Sequence, residues 1–125
     1  MRTLFKPNHP LRQINSFKFA FEGIFHAFFS EPNFRIQLLI VAVSVFLGKL
    51  YRITRIEWSF IIICSGFLLF MELINTVIEE IMDRFMKNLD GGVKIIKDVS
   101  AAAVLVTALT FFINFILIFG PRIFG

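Results

Sequence analysis

Of 125 residues, 57% are hydrophobic and 18 are Phe, which leaves too little polar side chain to cover a water-soluble fold. The formal net charge of +4 suits apposition to anionic lipid, whereas nucleic-acid binding would need a solvated basic face that the chain scarcely has. The single cysteine, Cys64, lies inside an apolar run, which excludes an intrachain disulfide and reads as a small apolar filler. The predicted class is an all-α membrane protein in one domain over 1–125, with three transmembrane helices preceded by an N-terminal amphipathic surface helix.

MRTLFKPNHP, residues 1–10, has two prolines in four residues and no periodicity, so it reads as a flexible lead. No cleavable signal is expected, because charge is spread through the first 35 residues with no continuous apolar core before Ile36. Over 11–30 a helical period sets in. Ile14, Phe17, Phe21, Ile24, Phe25 and Phe28 share a stripe of about 100°, with Asn15, Glu22, Gly23 and His26 to the side or opposite. This predicts an amphipathic helix in the membrane interface, and it gives His26 a solvated position. SEPNF at 30–34 should break it, since Pro32 lacks an N–H and holds Glu31 extended.

Three apolar stretches then approach the ~20 residues that span a hydrocarbon core: 36–50, 58–82 and 99–119. The first is short and reaches the interfaces through Phe34 and the Lys49 stem. YRITRIEW at 51–58 predicts the turn after it, with Tyr51 and Trp58 as interfacial aromatics, and the Gly91–Gly92 pair should punctuate the next connection. Nine of the 13 Lys and Arg residues fall before the first span or between the second and third. The other four, Lys49, Arg52, Arg55 and Arg122, lie on the opposite side. The positive-inside rule puts the N-terminus and the loop after the second span in the cytoplasm.

The second span carries MELINTVIEEIMDRF, with Glu72, Asn75, Thr76, Glu79 and Asp83 within roughly 100° of one helix face. Glu80 lies on the flank of this face, where Arg84 can pair with it. Glu72 follows about 20 Å of apolar helix counted from Trp58. A carboxylate at such depth costs on the order of 3 kcal/mol, so something positive should face the stripe. Lys97 and Arg35 could supply a structural ion-pair cluster. A divalent cation on oxygen ligands is the functional alternative, and Mg²⁺ commonly takes only one or two carboxylates plus phosphate oxygens.

NFRIQ, RIEW, ELINTVIEEIMD and KIIKDVSAAAVL, in this order and spacing, resemble the small prokaryotic diacylglycerol kinase and undecaprenol kinase family from about Arg12 to Leu117. The most specific element is Glu72, Asn75, Thr76, Ile78, Glu79 and Asp83, followed by Lys97 and Asp98. The resemblance implies a lipid kinase of the bacterial inner membrane that uses ATP and Mg²⁺ and works as a homotrimer with shared active sites. It implies that Glu72 is the base, that Asn75 orients the reacting groups, and that Glu31 and Glu79 hold the metal. Arg12, Lys97 and Asp98 would join Glu31 and Glu79 around the nucleotide, and Phe34, Arg35, Glu72 and Ala101 would contact the lipid. Ser100 and Ala101 to Ala103 also permit close helix packing. The run MKNLDGGV departs from the family pattern, with Asn88 and Asp90 where members commonly carry Glu and His.

Two acceptors fit the resemblance, undecaprenol and diacylglycerol. SFKFAFEGI, NFRIQLL and RIEW look more like the undecaprenol kinase branch, and the polar-poor face from Phe17 to Phe29 suits a hydrocarbon chain. A reading of another class is a non-enzymatic bundle whose acidic stripe conducts cations. Lys97, Asp98 and Glu31 favour the kinase, because a conduit has no evident need for a phosphate-binding end.

Overall fold

The computed structural model describes residues 10–86 and 91–125, which form α1 (Pro10–Ser30), α2 (Pro32–Leu50), α3 (Arg55–Phe85) and α4 (Gly91–Phe124). The expected lead up to His9, and the departing positions Asn88 and Asp90, lie outside the described residues. α2, α3 and α4 are each long and apolar enough to cross a membrane, so the all-α fold has three spanning helices after an N-terminal one. At 31 and 34 residues, α3 and α4 outrun the apolar stretches that predict them. Their charged ends therefore stand beyond a hydrocarbon core of about 30 Å as continued helix rather than loop. The Gly91–Gly92 pair accordingly opens α4 instead of punctuating a connection, because a first turn tolerates glycine where its N–H groups have no partners to lose.

The break at Pro32 is one residue wide. Glu31 is extended (φ −113°, ψ 104°), its N–H still donates to Ala27 at 2.8 Å, and Pro32 starts α2 where a missing N–H is harmless. α1 leans on both α2 and α3. Its Phe stripe faces away from the other helices, with Phe17 70% and Phe29 75% exposed, as a lipid-facing surface would be. The side that touches α3 is built largely on small residues: Ala20, Gly23 and the buried Ala27, with Ile24 from the edge of the stripe, line a cleft of about 420 Å³ with Leu73, Thr76 and Val77. His26 lines it too, although exposed overall, so it borders α3 rather than open solvent alone. The apolar period identifies the Phe face, but close approach needs small side chains, and those define the packing face.

The turn between α2 and α3 is tight. Arg52 takes a left-handed φ of 52°, and Thr54 caps α3 through a reciprocal pair with Glu57, at 3.2 Å from the Glu57 N–H to Thr54 Oγ1 and 3.1 Å from the Thr54 N–H to Glu57 Oε1. Trp58 lies against Gly48, where a Cβ would sit 2.6 Å from the indole. Ile53, Ile61, Ile118 and Phe119 form the core at this end, closed by a bidentate Arg122–Glu57 bridge of 2.7 and 2.9 Å. Trp58 thus packs on this core rather than serving only at the interface.

α3 is the central helix, packed most extensively on α4 and then on α2. Its buried face runs Ile61, Ser65, Leu68, Glu72, Asn75 and Thr76, changing from apolar to polar along a single stripe. That change of chemistry positions the site.

Candidate active site

Glu72 is 2% exposed. Gln37, from α2, reaches it across the helix interface, and its Nε2 donates to Glu72 Oε2 at 2.9 Å. One turn on, Asn75 donates to Glu79 Oε1 at 3.2 Å and accepts from Ser100 Oγ of α4 at 2.7 Å. Thr76 returns its hydroxyl to the Glu72 carbonyl at 2.9 Å. Three helices therefore meet at the carboxylate face, each through a side-chain hydrogen bond.

The expected site residues divide into two groups. Glu72, Asn75 and Glu79 share one face of α3, where Asn75 holds Glu79, and Glu31 stands at the joint that opens α2, the helix that supplies Gln37 to Glu72. Lys97 meets the acidic stripe at Asp83, 3.0 Å away, while Glu80 pairs with Arg84 at 2.8 Å. Arg35 does not join the stripe. Its Nη1 donates to the carbonyls of Phe28 and Phe29 at 2.8 and 3.1 Å, closing the C-terminal turn of α1, whose last carbonyls have no helical partner. Asp98 is held by Lys94 at 2.5 Å, and Arg12 and Ala101 are exposed. Phe34 is buried.

Sequence reasoning missed Gln37 and assigned Ser100 only to packing. Both stand one helix away from the residues they hold, and both lie inside the quoted NFRIQ and KDVSAAAVL segments, which are the only signal that could have found them.

Among the described residues, Glu57, Glu80, Asp83 and Asp98 are ion-paired, whereas Glu31, Glu72 and Glu79 are not. No set of three metal-ligating His, Cys, Asp or Glu side chains converges among them. Two unpaired carboxylates, Glu31 and Glu79, fit the smaller protein share that Mg²⁺ takes when phosphate oxygens complete its shell. The larger groove, about 620 Å³ between α3 and α4, is lined by Phe60, Ile63, Cys64 and Phe67 and by none of these carboxylates.

Three spanning helices, a carboxylate buried between them and an acidic end that meets Lys97 define a helical membrane protein with a polar site built inside its bundle. The profile of the prokaryotic diacylglycerol kinase family matches residues 18–119. An undecaprenol kinase of Bacillus subtilis is 32% identical over 112 residues, covering 90% of this chain and 91% of that protein. A diacylglycerol kinase of Synechocystis is 30% identical over 95 residues, covering 75% of this chain and 54% of that longer one. The chain belongs to the prokaryotic diacylglycerol kinase family and is a membrane lipid kinase. A non-enzymatic cation-conducting bundle is thereby set aside.

Proposed function

We propose that the protein transfers the terminal phosphoryl group of ATP to the hydroxyl of undecaprenol, with Glu72 as the base. The observation that carries this reading is the burial of Glu72, unpaired by any cation among the described residues, about 10 Å along α3 from Glu79. Depth then sorts the substrates. A lipid hydroxyl meets Glu72 inside the bundle, and the nucleotide stays with Glu31, Glu79 and Lys97 at the polar end. Mg²⁺, held by Glu31 and Glu79, would neutralise phosphate charge, the main demand of phosphoryl transfer. Lys97 would exchange Asp83 for phosphate. Asn75, fixed by Ser100, would keep Glu79 in line.

Arg12 and Asp98 would contact the nucleotide from α1 and α4. Lys94 holds Asp98 through Oδ2, so the other carboxylate oxygen would make the contact. Arg35 would border the lipid while strapping the end of α1, and Phe34 and Ala101 would shape the passage of its chain. The charge asymmetry supports a cytoplasmic N-terminus and a cytoplasmic active site in the bacterial inner membrane. A homotrimer with shared sites follows from the family resemblance.

The choice of acceptor is supported by the undecaprenol kinase relative, whose match covers 90% of this chain and 91% of that protein, and by the exposed phenylalanines of α1. The test is phosphate transfer from ATP by the purified protein, with undecaprenol and diacylglycerol in matched mixed micelles. Undecaprenol should show the higher kcat/KM. A preference for diacylglycerol would reverse the acceptor and leave the kinase assignment standing.

A further inference from the structure

We propose that Gln37 is the positioning residue for Glu72: its amide holds one carboxylate oxygen and leaves the other to receive the proton of the lipid hydroxyl. This rests on Glu72 being the base.

The bond joins two buried side chains, Gln37 at 9% and Glu72 at 2% exposure, across the α2–α3 interface at 2.9 Å. Its direction is dictated, because turning the amide over would set its oxygen against a carboxylate oxygen, two acceptors face to face. Among the described residues no other side chain donates to the Glu72 carboxylate. Thr76 commits its hydroxyl to the Glu72 carbonyl and Ser100 to Asn75.

The same bond leaves Gln37 Oε1 buried without a partner. An amide satisfied on one side and orphaned on the other is a poor device for holding helices together, since a buried acceptor without a donor is unfavourable. An apolar side chain of similar size would pack there without that penalty. What it could not supply is a fixed direction for the carboxylate.

In the reaction, the hydroxyl proton passes to Glu72 Oε1 as the lipid oxygen bonds to the transferred phosphorus and the bond to the leaving nucleotide oxygen breaks. Oε2 remains an acceptor for Gln37 throughout, because the proton arrives on the other oxygen. The anchor is therefore kept in both charge states of the base.

The test is a double-mutant cycle on the full-length protein in lipid-containing micelles, using Gln37→Met, Glu72→Gln and the double variant, with folding followed by thermal melting. Gln37→Met should lower kcat roughly 10- to 100-fold, the scale of a misplaced catalytic group, and leave KM for ATP and lipid within about twofold. Added to Glu72→Gln, it should cause no further loss. Gln37→Asn keeps the polar character but is one methylene short of Glu72, and it should lose kcat similarly if the Met variant does not fold. Near-normal kcat in either folded variant, or an equal loss on both backgrounds, overturns the proposal. Near-normal turnover in Glu72→Gln instead overturns the base assignment beneath it.

Discussion

Replacing Glu72 by Gln removes the proton acceptor while preserving the shape of the side chain. General-base catalysis is typically worth about 10² to 10⁴ in rate, so kcat should fall by that order while nucleotide binding, measured by calorimetry, is retained. Loss of binding together with turnover would point to a structural role instead. Glu31→Gln and Glu79→Gln each remove one unpaired carboxylate from a shared site, and each should raise the Mg²⁺ concentration needed for half-maximal activity. Their combined effect should be smaller than the product of the two separate losses, as expected of groups acting as a unit. Independent losses with unchanged Mg²⁺ dependence would place the two residues in different sites.

The helices themselves carry a separate constraint at the end away from the carboxylates. A methyl group at Gly48 would come within 2.6 Å of Trp58 and 3.1 Å of Ile53, so Gly48→Ala should destabilise the α2–α3 junction by about 1 to 3 kcal/mol, read from unfolding in detergent. An unchanged melting curve would mean that the indole moves aside freely. This contact also marks where the sequence stops being informative. Apolar run lengths reveal α2, α3 and α4, and Pro32 announces the break, because both depend on residues near in sequence. The stripe from Glu72 to Asp83 is legible for the same reason, as is the Glu80–Arg84 pair. Gln37 against Glu72, Ser100 against Asn75 and Trp58 against Gly48 depend on the register between helices, which no periodicity within one helix encodes. Arg35 shows the opposite error: a cation expected to face the acidic stripe, because it stands at the end of a neighbouring span, finds its acceptors in the carbonyls that end α1.

Across the whole molecule, the distribution of positive charge predicts that the ends of α3 and α4 nearest Arg84 and Lys97 face the cytoplasm. Met86, exposed just beyond α3, is a suitable reporter. In a Cys64→Ala background, Met86→Cys should resist an impermeant thiol reagent in intact cells and react in inverted vesicles. Labelling in intact cells would put the carboxylates on the wrong side for ATP.

The single extended residue between α1 and α2 has a mechanical meaning. Glu31 is a fulcrum: α1 is an oar some 30 Å long laid against the lipid, and α2 is fixed in the bundle. Arg35 lashes the oar at the joint through the Phe28 and Phe29 carbonyls, and the Ala27 carbonyl holds the Glu31 N–H, so the pivot is tied on both sides. The Glu31 carboxylate is thus carried on a braced joint between two helices rather than on a loose loop.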